Sequence, residues 1–166
     1  MFISYTTTTM HRLLRVPVQF RPPVAARFAS YGLVVNPITN YNNRLRLKEE
    51  QYANGVSTPF PTKIQAAMQE LAQETINDFE VPEMMVADLQ AKFLHQIVQA
   101  FEFSRILEIG TFTGTSAIAL ASALRGSGKV VSLDIDPKAQ EVASRYISKA
   151  GLANRVDLLL GDALER

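Results

Sequence analysis

Residues 105–116 read RILEIGTFTGTS, an apolar run that stops at Gly110, a second glycine at 114, and a cluster of hydroxyl side chains around them. Aliphatic and β-branched residues that end at a glycine read as a buried strand, and the alanine-rich SAIALASAL that follows reads as a helix. The unit is strand, glycine turn, helix. Downstream, GSGKVVSLDID places a second strand at 130–134, and Asp136-Pro137 supplies an N-cap and N1 pair for a helix that closes at Gly151. RVDLLLGDALER gives a third strand at 156–160 and the beginning of a further helix. The order β-α-β-α-β predicts an α/β fold with a parallel sheet and helical crossovers.

Upstream of the glycine turn, two segments carry helical periodicity. Ile64, Met68, Leu71, Thr75 and Phe79 mark a helix over 63–79, and Leu89, Phe93, Ile97 and Phe101 mark another over 86–101, each predicted to bury that stripe. Residues 31–62 hold Gly32, Asn36-Pro37, NYNN, Asn54-Gly55 and STPFP, which read as a linker with at most one short helix near 44–52 and order beginning at Pro61.

Charge divides the chain. Residues 1–48 hold seven basic residues and no acidic one, net +7, whereas residues 49–166 hold 10 basic and 16 acidic, net −6. The division suggests a basic extension over 1–48 and a folded domain over 49–166. The first 30 residues are arginine-rich, hydroxyl-rich and free of acid, as mitochondrial transit peptides are. Two readings stand: an import signal, or a disordered basic extension whose prolines at 17, 22 and 23 confine any amphipathic helix to residues 10–16. Localisation is thus open between cytoplasm and mitochondrion. Scattered arginines with few aromatic partners argue against a nucleic-acid arm. No apolar run approaches the roughly 20 residues of a membrane-spanning helix, so no membrane partner is expected. The absence of cysteine excludes a disulfide framework, a thiolate metal site and a cysteine nucleophile.

In such a sheet, ligands bind at the carboxyl ends of the strands, where the chain order reverses. Gly110 permits a tight turn and close approach to the backbone, Gly114 lets the loop fold over a ligand, and Thr115 and Ser116 offer hydroxyls and free amides at a helix N-terminus. Asp134 ends the second strand, where a carboxylate can accept hydrogen bonds from both hydroxyls of a ribose. The glycine spacing departs from the G-x-G-x-x-G that seats a pyrophosphate, which disfavours a nicotinamide-dependent oxidoreductase. Glu108, just before the turn, would repel a pyrophosphate but accept a hydrogen bond from an ammonium. S-adenosylmethionine carries an ammonium, a small carboxylate and a ribose, and fits this set. The plainer reading of Glu108 is a capping acid or an incidental strand-end charge.

MMVADLQAKFLHQIVQAFEFSRILEIGTFTGTSAIALASAL, with GKVVSLDID and ISKAGLANRVDLLLGDAL, resembles the catechol and caffeoyl-CoA type O-methyltransferases from about residue 52 onward. The resemblance implies a Rossmann-like methyltransferase fold, of which the chain holds the N-terminal, cofactor-binding half. It implies that Glu108 and Gly110 meet the methionine end of S-adenosylmethionine, that Ser116 donates to its carboxylate and that Asp134 holds its ribose. Asp162 and Ala163 then correspond to the place where the adenine is held, by a carboxylate and by the main chain, although an Asp after a glycine is equally a helix N-cap. Val86 falls where the family has a small or hydroxylated residue whose backbone meets the cofactor. Met84 and Met85 match a position leading into the pocket, or fill gaps in the core. His95 and His11 read as structural or surface residues.

The implied reaction is transfer of a methyl group from S-adenosylmethionine to a hydroxyl of a small, phenolic-type acceptor, with a divalent metal expected in the full-length family. The family's metal ligands belong to a later strand, so no metal ligand and no catalytic residue is named, and the 166-residue chain alone is expected to be inactive. A homodimer is compatible with this reading. The competing function is a non-catalytic module that binds the cofactor or dimerises.

Overall fold

The computed structural model describes residues 44–165, with side chains from Lys48 onward, so residues 1–43 of the basic extension and the import-signal reading lie outside the described residues. Three helices lead into the sheet: α1 (Arg44–Val56), α2 (Thr62–Asp78) and α3 (Asp88–Phe101), with a 3-10 turn at Pro82–Met84 between the last two. The chain then alternates β1 (Arg105–Ile109), α4 (Thr115–Ala123), β2 (Lys129–Asp134), α5 (Pro137–Ala150) and β3 (Val156–Leu160). The strands form a parallel sheet in the order β1-β2-β3. This is the predicted α/β arrangement, a parallel sheet with helical crossovers.

Register decides which side chains share a face. Ile106 pairs with Val130 and Glu108 with Ser132, while Val130 pairs in turn with Val156. Because side chains alternate along a strand, these residues point to one side, and there Val130 and Val156 join the core with Ile118, Leu120, Val142 and Ile147 of α4 and α5. Leu107 and Ile109 point to the other side and remain 56% and 46% exposed. α4 is buried almost all round, and its alanines 117, 119, 121 and 123 allow close approach of the neighbouring elements. α5 starts and stops where expected: Asp136 caps it by accepting from Lys138 N–H at 2.8 Å, and Gly151 at φ 81° ends it.

The stripe expected on α2 is buried at Ile64, Met68, Leu71 and Thr75. The stripe expected on α3 is not. Phe93 and Phe101 are 60% and 68% exposed, and the helix instead buries Ala91, Lys92 and Val98. The physical reason is surface fit: α3 lies on the alanine-rich α4, which accepts a small-residue face more closely than a line of rings. The short helix allowed near 44–52 is present, but it runs on through Asn54-Gly55 to residue 56, so order begins before Pro61. Lys92 Nζ donates to Asn54 Oδ1 at 2.5 Å and Asn54 O at 3.2 Å, which ties α1 to α3. Beyond β3 the chain makes a turn where a helix was expected to begin.

Candidate functional site

The carboxyl ends of β1 and β2 bring Glu108, Ser116 and Asp134 together. Glu108 is partly buried, and its Oε2 accepts a short hydrogen bond from Ser132 Oγ, its cross-strand partner. The Ser116 hydroxyl, on the first turn of α4, lies near enough to this carboxylate to lower its pKa. Desolvation pushes the Glu108 pKa up to about 7; the two serine donors pull it back and the Asp134 charge adds to the rise. The group is therefore poised near neutrality.

Asp134 is fixed by main-chain donors. Its Oδ2 accepts from Phe112 N–H at 2.5 Å and its Oδ1 from Asp136 N–H at 2.9 Å. An ionised carboxylate has about four lone-pair sites, so each oxygen keeps capacity for a further donor such as a sugar hydroxyl.

Three left-handed residues shape the loop between β1 and α4: Gly110 (φ 94°), Phe112 (φ 48°) and Gly114 (φ 98°). A Cβ placed on Gly110 would meet nothing within 4 Å, so the strand end opens onto free space. On Gly114 a Cβ would sit 2.9 Å from Ala143 Cβ of α5. Gly114 thus lets the loop pack closely on α5. Phe112, the one non-glycine of the three, is held by its N–H bond to Asp134 and by an edge-on contact with Phe79 at 5.2 Å. Gly110 N–H and Thr111 N–H both donate to Leu133 O, at 2.8 and 3.1 Å, and Thr113 Oγ1 accepts from Thr75 at 2.9 Å. No side chain caps α4, which leaves its first amides available to an anion.

The remaining candidates lie around this centre less tightly. Gly161 N–H donates to Asp134 O at 2.8 Å, so the exit of β3 reaches the end of β2, and Asp162 follows it, exposed, with Oδ1 accepting from Leu164 N–H at 2.9 Å. That bond closes a turn, and among the described residues no helix follows for Asp162 to cap. Ala163 is partly buried in the same turn. Val86 packs against the core between the 3-10 turn and α3. Met85 is 5% exposed and Met84 43%, which divides core filling from surface between them. His95 Nδ1 lies 2.8 Å from Ser122 Oγ and its ring is edge-on to Phe60, and burial lowers its pKa. Among the described residues no group of three or more His, Cys, Asp or Glu is placed to hold a metal ion.

Two site residues escape sequence reasoning: Ser132 and Thr111, both buried behind Glu108. The available signal was a serine inside VVSLD, at a position that alternation puts on the same face as two valines. Only the register shows that it faces a carboxylate.

The O-methyltransferase family profile matches residues 60–166. The catechol O-methyltransferase of Mycobacterium tuberculosis is 42% identical over 86 residues, which is 52% of this chain and 39% of that protein. Among solved structures, the O-methyltransferase from Bacillus cereus in complex with S-adenosylhomocysteine is 34% identical with a TM-score of 0.61, over 71% of this chain and 51% of that one. The O-methyltransferase TomG from Streptomyces achromogenes, solved with S-adenosylmethionine, is 30% identical with a TM-score of 0.64 over the same shares. The chain therefore spans about half the length of these solved relatives and about two fifths of the curated one.

Proposed function

The chain belongs to the O-methyltransferase family, and from that premise we propose that the ends of β1 and β2 bind S-adenosylmethionine for methyl transfer to a hydroxyl of a small-molecule acceptor. One observation carries the reading: a hydroxyl-bonded Glu108, a backbone-fixed Asp134 and the free space beside Gly110 meet at one strand end. Glu108 receives the ligand's ammonium. Ser116, with the uncapped amides of α4, receives its carboxylate, and Asp134 takes the two ribose hydroxyls. Asp162 and the main chain of Ala163 and Val86 complete the adenine and methionine contacts. The bound group supplies an electrophilic methyl carbon on a sulfonium. The chain's own residues hold and orient that group and exclude water from its polar end, which lowers the entropic barrier to in-line attack. Two carboxylates with no basic partner among these contacts also oppose a pyrophosphate, which separates this ligand from a dinucleotide.

Isothermal titration of the chain with S-adenosylmethionine, S-adenosylhomocysteine and NAD tests the proposal. Binding of the first two, lost in Asp134→Ala, is expected. Binding of NAD alone, or of nothing, sinks it. Binding without turnover on any catechol-type acceptor favours a cofactor-binding module over an enzyme.

A further inference from the structure

Behind Glu108 runs a chain of buried hydroxyls that no ligand contact explains. Thr111 and Ser132 are 2% and 0% exposed, their oxygens lie 2.6 Å apart, and Ser132 Oγ donates to Glu108 Oε2. A hydroxyl has one proton to give. While Glu108 is ionised, Ser132 directs its proton to the carboxylate, so Thr111 must donate to Ser132, and the chain runs Thr111 to Ser132 to Glu108. If Glu108 takes up a proton, both bonds can reverse. The direction of the relay is thus tied to the charge on Glu108. Alanine in place of Ser132 would take this partner from both the buried Thr111 hydroxyl and the Glu108 carboxylate, so the hydroxyl serves those two groups and not apolar packing.

Resting on the cofactor reading above, we propose that Ser132 is a positioning residue for Glu108: with Thr111 behind it, it keeps the carboxylate ionised and oriented, and binding of the ligand's ammonium is coupled to loss of the Glu108 proton. The groups around Glu108 leave few other proton sources. α4 carries no titratable side chain. On β2, Asp134 acts on Glu108 by its charge, and Lys129 sits at the opposite end of the strand, paired with Asp157 at 2.9 Å. On β1 itself, Arg105 is likewise at the far end. Glu108, with its pKa near 7, titrates in the neutral range.

The test is the pH dependence of S-adenosylhomocysteine affinity from pH 5.5 to 8.5, with a carbon-13 carboxyl NMR titration of the ligand-free full chain. The parent should lose affinity about tenfold per pH unit below a midpoint near neutrality, as a single linked proton requires. Ser132→Ala should raise the midpoint by about one unit, since one donor to the charged form is gone, and should weaken binding at pH 7 about fivefold, less at higher pH. Ser132→Thr should restore the parent profile. Thr111→Val should shift the midpoint the same way by less, and it serves if Ser132→Ala does not fold. Unmoved midpoints in both variants, or a loss of affinity that is the same at every pH, overturn the inference while leaving the cofactor reading intact. A parent chain that binds at no pH overturns both.

Discussion

The two faces of the sheet are made of similar residues and meet different surroundings. On one, Val130 and Val156 are 0% and 7% exposed beneath α4 and α5; on the other, Leu107 and Ile109 are 56% and 46% exposed. Parallel strands are apolar on both sides because both are normally covered. α3 repeats the contrast, with Ala91 and Val98 inward and Phe93 and Phe101 outward. Apolar pattern therefore states how many surfaces an element is able to bury. It does not state which of them meets a partner.

Substitutions on the two sides give the largest test. Ile118→Ala, fully buried in α4, should cost about 2–5 kcal/mol by chemical denaturation, through lost transfer energy and a residual cavity. Leu107→Ala on the open face should cost less than about 1 kcal/mol. Equal costs would break the comparison.

The glycine loop carries the contrast to single positions. Gly114→Ala puts a methyl group 2.9 Å from Ala143 Cβ at φ 98° and should cost about 2–4 kcal/mol, from overpacking added to left-handed strain. Gly110→Ala faces open space at φ 94° and should cost about 1–2 kcal/mol of strain alone, while weakening cofactor binding more than stability.

Charge sharpens it further. The folded chain holds the Glu108 proton to about pH 7, whereas an unfolded glutamate releases it near 4.5. The stability tied to that proton is complete below pH 4.5 and is lost as pH rises through 7. Glu108→Gln should accordingly stabilise the ligand-free protein by about 2–3 kcal/mol at pH 8 and by nothing at pH 4, measured by urea unfolding at both. Ligand binding should fall in the same variant, so that the site is seen to weaken the fold that carries it.

The smallest effect lies between α2 and α5. Glu74 accepts a bidentate pair from Arg145 at 2.7 and 2.9 Å and a bond from Tyr146 at 2.8 Å, and these donors lower its pKa. Its contribution is present above the ordinary glutamate pKa and is lost as pH falls through the depressed one. Glu74→Gln should cost about 1 kcal/mol or less at pH 7, since the pair is near the surface, and nothing at low pH. A loss that grows on acidification would contradict the pairing.

Much of the fold was legible in the sequence because its signals are local. Strand ends at glycines, the Asp136-Pro137 cap and the Gly151 stop each depend on a few neighbouring residues, and all stand where expected. Glu108, Ser116 and Asp134 were legible too, since the topology sends strand ends and the first helix turn to one place. The run of α1 past residue 52, through Asn54-Gly55, was not, because its attachment through Lys92 to Asn54 spans 38 residues and leaves no local trace.

By itself the sequence determined the order of elements, their parallel pairing and the residue types at the strand ends, all consequences of periodicity and backbone preference over short spans. The tertiary structure alone decided that α3 turns its alanine face inward, that Gly114 answers to Ala143, and that Ser132 stands against Glu108. Those are facts of register and of surface fit between segments far apart in the chain. RILEIGTFTGTS names the carboxylate of the candidate site, and only the strand beside it shows that Ser132 donates to that carboxylate.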